Sequence, residues 1–312
     1  MTFTKGLMHQ PSQALQTVSG FELWQWRSAA QQAALAAQIP VTEVDWLLQQ
    51  VAPLERLALR LETFKNVPEI HLSLPLKDLD ALWQKRIHER LPVQYIAGVT
   101  PWRDFELNVS PAVLIPRPET EILVDLAVLA AKKSVYPLEC GHWADLGTGS
   151  GAIALGLAQA MPHTTIHAVD WSKDAIVIAI ANAQKLGLTQ HVQFYQGSWW
   201  QPLAALKGQF RGMVSNPPYI PHDLISQLQP EVANHEPWLA LDGGVDGLDC
   251  IRHLVETAVD YLQPGGVWLI EMMAGQAEAV ADLLQRSGYC NIEIHPDLAG
   301  IERFAIAYRS EA

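Results

Sequence analysis

The stretch Gly147-Thr148-Gly149-Ser150-Gly151 constrains the fold of this chain more than any other. Before it, His142-Trp143-Ala144-Asp145-Leu146 reads as a short strand, and after it Ala152 to Ala160 is a run of good helix formers. Glycines belong where the backbone turns sharply and where a ligand must approach it with no Cβ in the way. About 20 residues further on, the spacing of a ribose-binding acid in such units, Asp170 ends the apolar run Thr165-Ile166-His167-Ala168-Val169. A carboxylate there can accept both hydroxyls of a ribose. The loop alone leaves a nicotinamide enzyme open as a competitor, because Gly147, Gly149 and Ala152 also satisfy the dinucleotide fingerprint with alanine in third place. The other reading of Asp170 is a cap on the next helix, a role Ser172 fills equally well.

A second motif, Asn216-Pro217-Pro218-Tyr219, follows the apolar run Met213-Val214-Ser215, which brings it to the end of a strand. An amide nitrogen is a poor nucleophile, so a catalyst of its reactions must fix its orientation and accept its two hydrogens. The Asn216 side-chain oxygen is one acceptor and the Pro217 carbonyl another, held in a set direction by the fixed φ of proline. Tyr219 offers a flat face to the bound plane. The alternative is an Asn-Pro turn that merely ends the strand. Helix Lys173 to Leu186, strand Val192 to Tyr195 and strand Gly212 to Ser215 complete an alternating β/α order. Ligands of open α/β sheets bind beyond the carboxyl ends of the strands, so one cleft can hold the loop, Asp170 and Asn216 together.

With these motifs in order, the chain closely resembles the bacterial release factor glutamine methyltransferases, the PrmC/HemK family of class I S-adenosylmethionine enzymes. The likeness also includes Pro92-Val93-Gln94-Tyr95-Ile96-Ala97-Gly98, Val113-Leu114-Ile115-Pro116-Arg117-Pro118-Glu119-Thr120-Glu121, and His235-Glu236-Pro237 followed by Ala240-Leu241. It implies an α/β, Rossmann-like class I methyltransferase fold with a mostly parallel seven-stranded sheet, a small N-terminal helical domain and a β-hairpin linker. The implied divisions are 1–92 for substrate recognition, 93–118 for the linker and 119–312 for methyl transfer. S-adenosylmethionine is the implied cofactor, held by Gly147, Thr148, Gly149, Ser150, Gly151 and Asp170. Asn216, Pro217, Pro218 and Tyr219 are the implied catalytic set, with Asn216 also facing the cofactor. The implied reaction methylates the side-chain amide nitrogen (N5) of the glutamine in the Gly-Gly-Gln motif of class 1 peptide chain release factors.

Two departures from the family pattern stand out. Gly197-Ser198-Trp199 puts serine where an acid usually meets the adenine, leaving Ser198 one hydrogen bond to offer and Trp199 as the aromatic wall. Ile270-Glu271-Met272-Met273-Ala274-Gly275-Gln276 carries an unusual methionine pair, while Glu271, Gly275 and Gln276 keep the family look.

The formal net charge of −12 and the lack of a basic block argue against adenine-N6 methylation of nucleic acid, which uses a similar Asn/Asp-Pro-Pro-aromatic element. Direct nucleic-acid binding is therefore not expected. Two further alternatives are methylation of a glutamine in a ribosomal protein and an inactive binding module. The three cysteines, Cys140, Cys250 and Cys290, are widely spaced and read as buried free thiols. The start Met1-Thr2-Phe3-Thr4-Lys5-Gly6 lacks the pattern of a secretory signal, and no apolar run suits a bilayer, so a cytoplasmic or stromal location is expected.

In the first part of the chain, Ser19 and Glu22 have capping-box spacing and open a helix to Gln38, and Thr42 reads as the cap of a second. Leu54, Leu57 and Leu61, then Leu79, Leu82, Trp83 and Ile87, recur at helical spacing and read as core. Trp24 and Trp26 read as edge residues, buried or offered to a partner. Phe105 to Val109 alternates as a hairpin strand should, and Pro118 suits the start of a helix from Glu119 to about Lys132. Arg117 and Glu119 either line the cofactor entrance or pair on the surface. Glu231, His235 and Glu236 lack a further ligand at sensible spacing, so no metal is expected.

Overall fold

The computed structural model describes residues 16–311. The segment Met1 to Gly6, read above for signals, lies outside the described residues. The chain divides into two compact units, Met1–Ala97 and Gly98–Ala312.

The first unit contains β1 (Gln16–Val18), α1 (Gly20–Ala36), α2 (Thr42–Val51), α3 (Arg56–Arg60), β2 (Ile70–Leu72), α4 (Leu76–His88) and α5 (Val93–Ala97). Ser19 caps α1 as its position implies, accepting the backbone N–H of Glu22 at 3.1 Å. Thr42 is instead the first residue of α2, whose cap position is Val41 with no side-chain bond. Leu57 and Leu61 correct a second expectation: both are 61% exposed, because α3 is a single short turn that buries only Leu59. Leu79 and Trp83 are core, and Trp24 and Trp26 are half-buried, their indoles donating to Glu62 and Asp80. Two arginines that spacing alone did not reveal are buried in this unit. Arg27 grips Asp45 through two bonds of 2.6 and 2.9 Å, and Arg86 grips Glu43 through two of 2.7 and 2.9 Å.

The second unit opens with the hairpin β3 (Val99–Trp102) and β4 (Phe105–Asn108), followed by α6 (Glu121–Lys133). Helix α6 starts two residues later than Pro118 suggested, after a turn in which Thr120 holds the cap position without capping. Then come β5 (Gly141–Leu146), α7 (Ala152–Ala160), β6 (Thr164–Asp170), α8 (Lys173–Leu186), β7 (Val192–Gln196) and β8 (Phe210–Ser215). The unit ends with α9 (Pro230–His235), α10 (Asp249–Ala258), β9 (Leu262–Glu271), α11 (Ala277–Arg286), β10 (Tyr289–Pro296) and β11 (Glu302–Arg309).

These strands form a seven-stranded sheet in the order β10-β11-β9-β8-β5-β6-β7. Pairing is parallel from β9 across to β7, and β11 runs antiparallel to both of its neighbours. The inner strands read as nearly continuous apolar runs because apolar clusters cover both faces. Helix α7 is apolar all round and buried from Ala152 to Ala158, so it acts as core under the glycine loop. The chain winds outward from β5 through β6 to β7, then returns to place β8 on the other side of β5. The strand order reverses between β5 and β8, and the loops leaving their carboxyl ends flank a crevice there.

The thiols depart from expectation. Cys290 is exposed on β10, and Cys140 and Cys250 are half-buried.

Candidate active site

Both motifs leave the sheet at that reversal, and Ser215 joins their roots by donating its buried hydroxyl to the Leu146 carbonyl at 2.5 Å. The glycine loop spans β5 and α7 with Gly147, Gly149 and Gly151 all at positive φ, between 55° and 86°. A Cβ on Gly149 would meet nothing within 4 Å, so this glycine leaves open space above the loop. One on Gly151 would stand 3.2 Å from Ala179, which marks close packing of loop on α8.

Two buried polar groups, Asp145 and Asn182, and the half-buried Asp170 hold the loop. Asp145 accepts the Thr148 hydroxyl at 2.6 Å and the Ala154 N–H at 3.0 Å, and burial pushes its carboxyl up to about 7. Asn182 on α8 donates to the Ser150 carbonyl at 2.9 Å and exchanges bonds of 2.7 and 3.0 Å with the backbone of Asn108 at the end of the hairpin. Asp170 accepts the Gly149 N–H at 2.8 Å with one oxygen and the Ser172 N–H at 2.8 Å with the other. Burial raises its pKa, against the pull of those two bonds. Helix α8 is capped by Ser172, which accepts from Ala175, so the cap reading of Asp170 is not needed.

A cavity of about 270 Å³ opens over this loop. Of the candidate residues, Gly147, Thr148, Gly149, Ser150, Asp170, Trp199, Asn216 and Pro218 line it, together with Ser198 and Arg117. Gly151, Pro217 and Tyr219 are not among the lining residues. Trp199 takes up a left-handed backbone with φ of 46°, a conformation rare for a bulky residue. That turn lays its indole against Gly147, 3.5 Å from where a Cβ would be. The open glycine cradle, the acid at the end of β6 and the aromatic wall suit a nucleoside ligand with an extended arm.

On the far wall, Asn216 donates from Nδ2 to the Thr120 hydroxyl oxygen at 3.2 Å. Thr120 donates its hydrogen to Glu271 Oε2 at 2.7 Å, and Tyr219 donates to Glu271 Oε1 at 3.1 Å. Glu271 is 1% exposed, and burial pushes its carboxyl up to about 7. Asn216 Oδ1 has no hydrogen-bond partner among the described residues, and neither does the Pro217 carbonyl. Behind the tetrapeptide, Gln276 donates to the carbonyls of Tyr219 and Gly247 at 3.0 and 3.2 Å. Gly247 sits so close that a Cβ would fall 2.3 Å from the Tyr219 oxygen, so no larger residue fits there.

Arg117 pairs across the chain with Glu236 at 2.7 Å, not with Glu119. Burial raises the Glu236 pKa while Arg117 lowers it. Among the described residues no histidine lines the cavity, and the one lining thiol among them, Cys250, is pushed up to about 11 by burial and stays protonated near neutrality. Among the described residues, no group of three or more His, Cys, Asp or Glu side chains is placed to hold a metal ion.

Thr120, Asn182 and the Gly243 to Gly247 turn were not picked out as site residues from the sequence. Thr120 lies inside a quoted motif, and the clustered glycines near 243 signal a close approach. Asn182 gave only a weak sign, an asparagine inside a helical run.

Comparison with known proteins decides the lineage. Residues 123–232 match the family described as Methyltransferase small domain. A protein of Synechocystis sp. named release factor glutamine methyltransferase is 52% identical over 292 residues, covering 93% of this chain and 97% of that protein. The chain belongs to the release factor glutamine methyltransferase family. A second member with this name, from Thermosynechococcus vestitus, is 49% identical and covers 93% of this chain and 99% of its own length. The fold is that of class I methyltransferases. Among solved structures, the hMettl16 catalytic domain in complex with the MAT2A 3'UTR hairpin 6 shares this fold with a TM-score of 0.53 at 12% identity, over 85% of this chain and 89% of that one.

Proposed function

We propose that this family member methylates the side-chain amide nitrogen (N5) of the glutamine in the Gly-Gly-Gln motif of class 1 peptide chain release factors, with S-adenosylmethionine as methyl donor. The observation that carries the reading is the unbonded Asn216 Oδ1 at the wall of the glycine-loop cavity, its amide turned by the bond from Nδ2 to Thr120. The names of the close relatives support it.

S-adenosylmethionine supplies an electrophilic methyl group on a sulfonium. The loop Gly147 to Gly151 would give its methionine arm room against the backbone, Asp170 would accept from its ribose, and Ser198 and Trp199 would hold its base. Asn216 Oδ1 and the Pro217 carbonyl accept the two hydrogens of the glutamine amide and orient its nitrogen toward the methyl carbon. As the nitrogen gains that carbon and the carbon's bond to sulfur breaks, positive charge grows on the amide hydrogens. The two oxygens are aimed at that charge. The excess proton then leaves to water, so the absence of an imidazole or thiolate from the lining is no obstacle. The net charge of −12 fits a protein partner better than bare nucleic acid. No helix among the described residues is long and apolar enough to cross a membrane, consistent with work beside the cytoplasmic translation machinery. The first unit is assigned to gripping the release factor.

Mass spectrometry of release factor incubated with the protein and S-adenosylmethionine tests this. One methyl on the Gly-Gly-Gln glutamine is expected, and none with Asn216→Ala. An unmodified loop, with label appearing instead in ribosomal protein or nucleic acid, would overturn the substrate assignment.

A further inference from the structure

The Asn216 side chain sits at the end of a hydrogen-bond chain that begins at Glu271 on β9. Its direction follows from chemistry. In its ionised form, the state above about pH 7, the Glu271 carboxylate has only acceptor sites, so both neighbours donate to it. Thr120 has a single hydroxyl hydrogen and spends it on Glu271 at 2.7 Å. Toward Asn216 it therefore offers only lone pairs, and the Asn216 amide must present Nδ2, at 3.2 Å. With Nδ2 committed, Oδ1 is the atom left to face the cavity. Tyr219 fills the other oxygen of Glu271 at 3.1 Å, which fixes the carboxylate and ties it to the same tetrapeptide.

We propose that Thr120 and Glu271 are positioning residues which set the orientation of the Asn216 amide, so that its oxygen and not its nitrogen meets the acceptor nitrogen of the substrate. Thr120 lines the cavity beside Asn216 and Glu271 lies behind it; both are assigned to act through Asn216. An asparagine without this relay samples two orientations related by a flip of the amide. One of them points N–H groups at the substrate's own N–H groups and cannot orient a primary amide. The chain thus selects a substrate that donates two hydrogens in one plane, which rests on the function proposed above.

The test combines kinetics with a readout that needs no turnover. Thr120→Val keeps shape and removes the hydroxyl, while Thr120→Ser restores it. Thr120→Val is expected to lower kcat about 10- to 100-fold, the scale of one lost orienting hydrogen bond, with S-adenosylmethionine affinity within about twofold. Thr120→Ser is expected to recover kcat to within about threefold of the wild type. In parallel, the side-chain amide protons of Asn216, assigned in the NMR spectrum by their loss in Asn216→Ala, should exchange slowly with solvent in the wild type and in Thr120→Ser, and fast in Thr120→Val. Glu271→Leu probes the other end by removing both acceptor oxygens and should also lower kcat without loosening the cofactor. Wild-type kcat in Thr120→Val or Glu271→Leu, equal damage from Val and Ser, or amide exchange indifferent to Thr120 would each overturn the relay. If the wild type methylates no release factor, the function above fails on its own, and the exchange measurement still decides whether the relay exists.

Discussion

The carboxylate of Asp170 accepts the backbone N–H of Gly149 at 2.8 Å, so the acid at the end of β6 and the middle glycine of the β5–α7 loop move as one piece. Its other oxygen is tied to Ser172. The acid proposed to face the ribose is thereby also the brace of the glycine loop. Asp170→Ala should weaken S-adenosylmethionine binding at least about tenfold, because charge-assisted bonds are worth about 1.5–3 kcal/mol each. Asp170→Asn, which keeps an acceptor oxygen, should lose less. Calorimetric titration of the three proteins checks the order, and equal affinities would remove Asp170 from both roles.

Arg117 and Glu236 form a pair of unequal exposure, 28% against 1% for their side chains. Removing the arginine leaves a buried carboxyl without its counter-charge, a change that costs about 3 kcal/mol or more. Arg117→Ala should therefore lower the melting temperature, and the loss should shrink as the pH falls, because Glu236 escapes the penalty by taking a proton. A pH-independent loss would mean that Arg117 matters through packing.

His167 is the middle of a chain whose proton order is fixed. The Tyr195 hydroxyl donates to Gln193 at 2.6 Å, so it accepts from His167 Nδ1 at 3.0 Å, and His167 Nε2 accepts from His142 at 2.9 Å. Burial, and to a lesser degree the neighbouring His142, push His167 down to about 4. The unfolded chain takes up this proton near pH 6.5, about the usual value, and the folded chain does not. Stability from this group is therefore present above about pH 6.5 and is lost as the pH falls toward about 4. Asp145 and Glu271, both pushed up to about 7, act in the opposite sense and lose stability as the pH rises through that value. From about pH 7 to about pH 5, the change in stability measured by urea unfolding should be less favourable for the wild type than for His167→Gln. Equal changes would show that His167 titrates normally.

In the first unit, Arg86 and Glu43 meet through two bonds with side chains only 4% and 19% exposed. Arg86→Ala should destabilise this unit by about 3 kcal/mol. In calorimetry, the transition belonging to the helical unit should move to lower temperature while that of the second unit stays. A shift of both together would mean that the two unfold cooperatively.

The second unit was legible wherever its chemistry is local. Helices α7 and α8 fall where glycine, serine cap and apolar run place them, and β5, β6, β7 and β8 lie within a few residues of expectation. These elements are announced by turn residues and buried on both faces, so periodicity and breakers suffice. What was hidden depends on partners far along the chain. Thr120 gives up capping α6 to serve Glu271, 151 residues away, and Arg117 finds Glu236 across 119 residues. No local spacing carries such pairs. Leu57 and Leu61 misled for the same reason, since helical spacing marks a stripe but cannot say whether anything lies opposite it.

Residues 147 to 219 bring every group assigned to the cofactor and the whole Asn-Pro-Pro-Tyr turn, yet Glu271 lies 52 residues beyond Tyr219. During synthesis, at about 5–20 residues per second, these residues are therefore made a few seconds before Glu271. A chain cut short between β8 and β9 would lack Glu271 together with α10, α11 and three strands whose side chains help to fill one of the two core clusters of the second unit. The last strands of the sheet thus close its core and, in the same stroke, bring the acid to which Thr120 and Tyr219 donate.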